Sequence, residues 1–315
     1  MACSIPLAAS LLGLAGCSDL SSIDNVEPDD LQPEQRARFE LGRDLFFDPG
    51  LSAAGDVSCA TCHQPTLYGT DARPTSEGTQ GRVGRRNAPS VFNAALKERQ
   101  FWDGRAPSLA EQALGPLFAF DEMHQTEAGL LEYVQQAYGE RFELAFEGQQ
   151  SPSAQQVGEA LAAYQELLPR RSRLDRFIDG ERDALDREER RGFRLFERNC
   201  SFCHQGAGVG GTGYERLGEE VPWPADRSDD QGLFEVTGDP ADRMRFFVPS
   251  LRNVAQTGPW FHDGSVESLD EAVTLMARHQ LGRTFSGPQR RALVAFLRTL
   301  DAESIPDWVE PGDSD

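Results

Sequence analysis

Three observations predict a mainly α chain folded as two tandem domains with long loops and little strand. Apolar residues recur at helical spacing in stretch after stretch, whereas alternation with a period of two is nearly absent. The pentapeptide Cys-x-x-Cys-His occurs twice, at Cys59–His63 and Cys200–His204, once in each half of the 315-residue chain. A chain of that length carries a prior of about two domains.

Taken in order, residues 1–17 read as an export leader. Ile5 to Ala15 is an apolar run too short to span a bilayer, and Leu14-Ala15-Gly16-Cys17 has the pattern of a bacterial lipobox, although Met1-Ala2-Cys3 lacks a basic start. Cys17 would then be lipidated, placing the protein in the periplasm on a membrane anchor. Residues 18–34 are polar and acidic and read as a tether that need not fold. Pro33 opens the first helical pattern, with Phe39, Leu41, Leu45 and Phe46 to one side. Further helices are predicted over Ala128–Tyr138 and Ser153–Leu168, completing a first domain at 35–176. The second domain, 177–305, holds helices over Asp186–Asn199, Leu269–Arg278 and Ser286–Leu300. Its Gly- and Asp-rich stretch Gln205–Arg243 is a long loop, of the kind that is usually functional or mobile. Residues 306–315 read as an acidic tail.

Each pentapeptide supplies two thiols that can bond haem vinyl carbons, followed directly by an imidazole that can bind the iron, which is the pattern of c-type attachment. The domains are therefore expected to be cytochrome c-like, with Cys59, Cys62 and His63 on one haem and Cys200, Cys203 and His204 on the other. A single zinc shared by the four cysteines, or a redox disulfide, is the alternative. Ligand pairs of a structural zinc site normally lie a short loop apart, and a thioredoxin-like motif needs no histidine after it. The remaining cysteines, Cys3 and Cys17, fall in the leader. The formal charge of -20, with Lys97 the only lysine, excludes nucleic acid as a natural partner and favours a basic protein.

The segments Leu41-Gly42-Arg43-Asp44-Leu45-Phe46-Phe47-Asp48, Arg86-Asn87-Ala88-Pro89-Ser90, Phe101-Trp102-Asp103-Gly104-Arg105, Val248-Pro249-Ser250-Leu251-Arg252-Asn253 and His262-Asp263-Gly264, in this order around the pentapeptides, resemble the bacterial di-haem cytochrome c peroxidases from about residue 36 to 300. The resemblance implies reduction of hydrogen peroxide with electrons from a small cytochrome c or a blue-copper protein, often by a homodimer. It implies that Met276 is the sixth ligand of the second haem, with His279 a nearby competitor. It implies that Glu122 handles protons above the first haem, that Gln112 lines the same pocket, and that Trp102 lies between the haems. Asn87, Thr257 and Pro259 match positions that bind calcium between the domains. Arg245 and Arg252, near the second haem, are candidates to pair with its propionates. Where the family commonly has a histidine blocking the first iron, this chain has Thr79, a poor iron ligand. The first site is therefore expected to be open without reductive activation, with His124 the substitute ligand if it is not. Two other readings stay open: an enzyme oxidising residues of a partner protein, as in the maturation enzymes of the same superfamily, and a non-catalytic electron carrier.

Overall fold

The helices of this computed structural model, which describes residues 20–148, 151–224 and 229–312, start where proline and capping side chains serve otherwise unpaired N–H groups. Helix α1 (Pro33–Phe47) has proline at its first position, where no partner is lost, and buries Phe39, Leu41, Leu45 and Phe46. A single turn, α2 (Cys59–Cys62), carries the first cysteine pair. Helices α3 (Leu109–Phe118), α4 (Glu127–Ala145) and α5 (Ala154–Glu166) follow, with Ser108, Thr126 and Ser153 accepting first-turn N–H groups. The second half holds α6 (Arg173–Ile178), α7 (Arg187–Asn199), α8 (Phe234–Thr237), α9 (Leu269–Leu281) and α10 (Gly287–Leu297). Its only named strands among the described residues, β1 (Tyr214–Arg216) and β2 (Arg245–Phe247), pair antiparallel with Tyr214 opposite Phe247. The mainly α expectation holds, and the long loop after His204 contains β1 and α8.

Two apolar cores lie side by side. One gathers Phe39, Leu45, Leu117, Leu130, Phe142, Leu161 and Tyr164, the other Leu174, Leu185, Phe196, Leu293, Phe296 and Leu300. Each is built on a helix pair brought together at a glycine. A Cβ on Gly42 of α1 would lie 1.8 Å from the Ala160 carbonyl oxygen of α5, and one on Gly192 of α7 would lie 1.9 Å from that of Ala292 in α10. Only hydrogen fits at either crossing. The repetition continues beyond the helices. Phe46 lies 6.5 Å from the His63 ring and Phe196 6.5 Å from that of His204. The turns Phe101–Gly104 and Phe261–Gly264 share the same positive φ values, 69° and then 62°. The two halves repeat these local features.

The chain ends differ from expectation. From Leu20 onward the segment read as a tether is laid along the protein: Ile23 N–H donates to Asp175, Asn25 accepts from the Arg171 N–H, and Glu27 accepts from both Arg170 and the Trp308 indole. Asp24, Glu27 and Asp29 pair with Arg171, Arg170 and Arg36, and these pairs, with the backbone bonds, lay the segment down although Asp24 and Asp29 stay largely exposed. The tail likewise returns to the first core, where Val309 is buried and Trp308 packs edge-on against Phe39. The leader, with Cys17, and residues 313–315 lie outside the described residues. No helix among the described residues is long and apolar enough to cross a membrane.

Candidate functional site

Each cysteine pair lines its own cavity. Cys59, Cys62 and His63 face one of about 460 Å³, and Cys200, Cys203 and His204 face another of about 290 Å³. The pairs do not converge, so one zinc shared by all four thiols has no place in this fold. All four thiols are free, and burial pushes Cys59 and Cys200 up to about 12. In each pentapeptide the helical turn ends as the histidine N–H donates to the first cysteine carbonyl, at 3.0 Å in both copies. The turn leaves the imidazole on the same cavity wall as the thiols.

Both imidazoles are held in a form that an iron could bind. Nδ1 of His63 lies 3.0 Å from the Gly69 carbonyl oxygen, which can only accept, so Nδ1 carries the proton and Nε2 keeps its lone pair. Burial holds this imidazole below its ordinary value, and pushes that of His204 down to about 4, so both rings are neutral. The Nδ1 of His204 is buried beside Pro249 and Val209 without a well-formed hydrogen bond. Paired thiols, a neutral imidazole and a largely apolar cavity form a donor set that fits a covalently held haem in each half.

Glu122 and Gln112 both line the His63 cavity. Gln112 projects from α3, and Glu122 from the fold-back that follows it. Pro116, inside α3, has no N–H to give, and its own carbonyl accepts the Met123 N–H at 3.1 Å. The Leu117 and Ala119 carbonyls take the N–H groups of Gln125 and His124, at 2.8 and 2.9 Å. Met123 is buried beneath, and Glu122 is left in the cavity wall. Burial, with the neighbouring Asp121 charge, pushes the Glu122 carboxyl up to about 7 despite Arg105. It can hold or release a proton near neutrality.

Thr79 does not face this cavity. It is fully buried, and its hydroxyl donates to Asp56 at 2.6 Å. The substitute, His124, is exposed, sits edge-on to Phe120 and is absent from the cavity wall.

In the second cavity Met276, from α9, shares the wall with His204. The competitor His279 is turned away, its Nδ1 2.8 Å from the Val221 carbonyl and its ring against Trp223. Trp102 lines both cavities, and its indole donates to the Asn87 carbonyl at 2.9 Å. Asn87, Thr257 and Pro259 all line the second cavity. The two arginines proposed for propionates are committed elsewhere. Arg252 is buried against Asp175 at 2.8 and 2.7 Å and also donates to Ala207, while Arg245 pairs with Asp242 and the Tyr214 carbonyl.

Sequence reasoning missed the ion network that joins the halves. Arg86 binds Asp230 through two bonds and Asp103 through a third, and Arg85 pairs with Glu235. This holds α8 of the second half against the His63 cavity, where Glu235 and Val236 form part of the wall. Arg86 and Asp103 stood in segments already singled out, but nothing local marks Asp230 as their partner.

Comparison with known proteins places these features in company. The family described as di-haem cytochrome c peroxidase matches residues 36–183. Cytochrome c551 peroxidase of Nitrosomonas europaea is 39% identical over 284 residues, covering 89% of this chain and 84% of that one. Methylamine utilization protein MauG of Methylorubrum extorquens is 34% identical, covering 90% and 82%. The crystal structure of a MauG-like protein associated with microbial copper homeostasis superposes with a TM-score of 0.75 at 29% identity, over 94% of this chain and 97% of that one.

Proposed function

Since this chain belongs to the di-haem cytochrome c peroxidase family, we propose that it reduces hydrogen peroxide to water, drawing single electrons from a small cytochrome c or a blue-copper protein. Cys59, Cys62 and His63 would hold one haem, and Cys200, Cys203, His204 and Met276 the other. These groups supply one-electron redox chemistry, and thioether ligation by Met276 would favour the reduced state of the second.

The observation that carries the reading is the placement of Glu122 and Gln112 in the wall of the His63 cavity, with the Glu122 carboxyl pushed up to about 7. As carboxylate, Glu122 takes a proton from the bound peroxide; as acid, it returns that proton to the departing oxygen. Gln112 orients the oxidant by hydrogen bonding. Thr79, buried and bonded to Asp56, brings no imidazole to the blocking position, which supports a site that is open in the oxidised protein without reductive activation. Trp102, in the wall of both cavities, lies where it can assist transfer between them. Asn87, Thr257 and Pro259 would bind calcium largely through oxygen atoms, a donor set suited to a hard cation. The lipobox at Cys17 supports a periplasmic, lipid-anchored enzyme, and homodimerisation follows the family habit.

The test is steady-state oxidation of a reduced small cytochrome c by peroxide, started with fully oxidised protein and no prior reductant. Turnover without a lag is expected. A second reading, oxidation of residues on a partner protein, is favoured by Thr79 alone and opposed by Met276, where such enzymes carry tyrosine. Failure to turn over the cytochrome, with modification of a partner instead, would select it.

A further inference from the structure

Asn93 and Lys97 flank the one-turn helix Ala94–Leu96 of the first half, and this piece is pressed onto the loop that follows His204. The Glu98 N–H donates to the Gly211 carbonyl at 2.8 Å. A Cβ on Gly211 would lie 2.7 Å from Cγ of Lys97, so the lysine stem is clamped against the second half. Both side chains line the His204 cavity, and Lys97 also lines the His63 cavity. Asn93 is 2% exposed, and neither its amide nitrogen nor its amide oxygen has a hydrogen-bond partner. Lys97 has no ion-pair partner among the described residues. Burial alone acts on it, pushing the ammonium down to about 8, with no acid to oppose the shift. A buried amide and a half-buried ammonium without a partner are both unfavourable unless something accepts their protons.

Of the cations first expected to serve the second haem, Arg252 is bonded to Asp175 and the Ala207 carbonyl, and Arg245 lies outside the cavity wall, beside Asp242 and the Tyr214 carbonyl. A haem in this cavity brings two propionate carboxylates, which are acceptors only. The geometry points to Asn93 and Lys97 as the donors that grip a propionate of the His204 haem, supplied to it across the domain boundary by the first half of the chain. They are positioning residues and do not touch the reacting atoms. A fixed positive charge beside the propionate favours the less positive, reduced iron, so this contact also holds the second haem at a higher potential. The inference rests on the proposed reading that a haem fills this cavity.

The experiment is a spectroelectrochemical titration of both haems in the holoprotein and two variants. Lys97→Met keeps the apolar stem against Gly211 and removes the charge; Lys97→Arg keeps the charge. Lys97→Met is expected to make the His204 haem about tenfold harder to reduce at a given applied potential, a fall of about 59 mV for a one-electron couple. Lys97→Arg should restore most of it. An unchanged potential for that haem, a shift confined to the His63 haem, or a Lys97→Arg variant no better than Lys97→Met overturns the proposal. Because Lys97 is the only lysine, nitrogen-15 lysine labelling of the unmodified holoprotein gives one side-chain signal. That signal should remain an ammonium above about pH 8 and move when the second haem is reduced. A neutral amine, or a signal blind to reduction, overturns the proposal even if neither variant folds. A wild-type protein carrying fewer than two haems would sink the functional reading itself, whereas two haems with an unmoved potential sink only this contact.

Discussion

The backbone N–H of Thr79 donates to the carbonyl of Glu122 at 2.7 Å. Thr79 is thus a strut for the candidate acid and base, with its own hydroxyl turned to Asp56 at 2.6 Å. Gly78, beside it, permits the approach, since a Cβ there would lie 2.3 Å from the Asp121 carbonyl oxygen and 2.5 Å from that of Glu122. Magnetic resonance of the oxidised holoprotein should accordingly show one high-spin iron. Two low-spin signals would mean that some side chain closes the site.

The same contact predicts what a single methyl group would do. Gly78→Ala has no room, and overpacking of this kind costs about 1–3 kcal/mol. Chemical denaturation should register that loss. Turnover should fall further than stability implies, because the displaced turn carries Glu122, while the absorption spectrum of the second haem stays as it was.

Glu122→Gln separates proton handling from haem binding. Proton transfer by a placed side chain is worth roughly 10²–10⁴-fold in rate, so turnover should drop by that order with both haem spectra intact. With the carboxyl raised to about 7, the peroxide reaction of the wild type should speed up as pH rises toward that value and then level off; the variant should be flat. Stability carries the opposite sign. From its ordinary value of 4.5 up to about 7, the folded protein holds a proton that the unfolded chain has released. The contribution of Glu122 to stability is therefore lost as pH rises through that window. Melting temperatures against pH should show the loss in the wild type and not in the variant.

How much of this could be read in advance depended on the range of the interaction. The attachment pentapeptides are local, and so are the caps at Ser108, Thr126, Asp186 and Ser268, each bonded within its own first turn. Glu122, Gln112 and Met276 came from resemblance; their surroundings give each a cavity wall but no local pattern that would have found it. What escaped was pairing over distance. Glu27 and Trp308 meet across 281 positions, and Arg86 and Asp230 across 144. In a sequence this acidic, one carboxylate bound to arginine looks like any other that faces water. The duplication was written in plain letters, Phe-Trp-Asp-Gly beside Phe-His-Asp-Gly and Pro-Ser-Val-Phe-Asn beside Pro-Ser-Leu-Arg-Asn. It became meaningful only when the two turns proved to share their positive φ values.

Met276 invites a paired substitution. It lies on α9 in the wall of the second cavity, from which His279, bonded to the Val221 carbonyl, is absent. Met276→Ala should leave the second iron with a vacant position and turn its signal high-spin. Met276→His should keep it low-spin and lower its potential, because a thioether favours the reduced metal more than an imidazole does. An unchanged spectrum in both would remove Met276 from the ligand set.

Arg252 and Asp175 offer the sharpest test of what secures the second half. Both side chains are essentially buried, joined by two bonds of 2.8 and 2.7 Å, and Asp175 also accepts from Ser172 and from the Ile23 N–H. The arginine holds the aspartate below the usual carboxylate range even against its burial. Removing one partner leaves the other charged and dry, which typically costs about 3–5 kcal/mol, whereas replacing both by apolar groups of similar volume is often close to neutral. Arg252→Met should therefore be severely destabilising in urea, and Asp175→Leu combined with it should recover most of the loss. The pair's stabilisation should also fall away in acid, as pH drops through the lowered value of Asp175 and the carboxylate protonates. If the double variant proved as unstable as the single one, the arginine's bond to the Ala207 carbonyl, rather than the ion pair, would be what fixes the loop that follows His204.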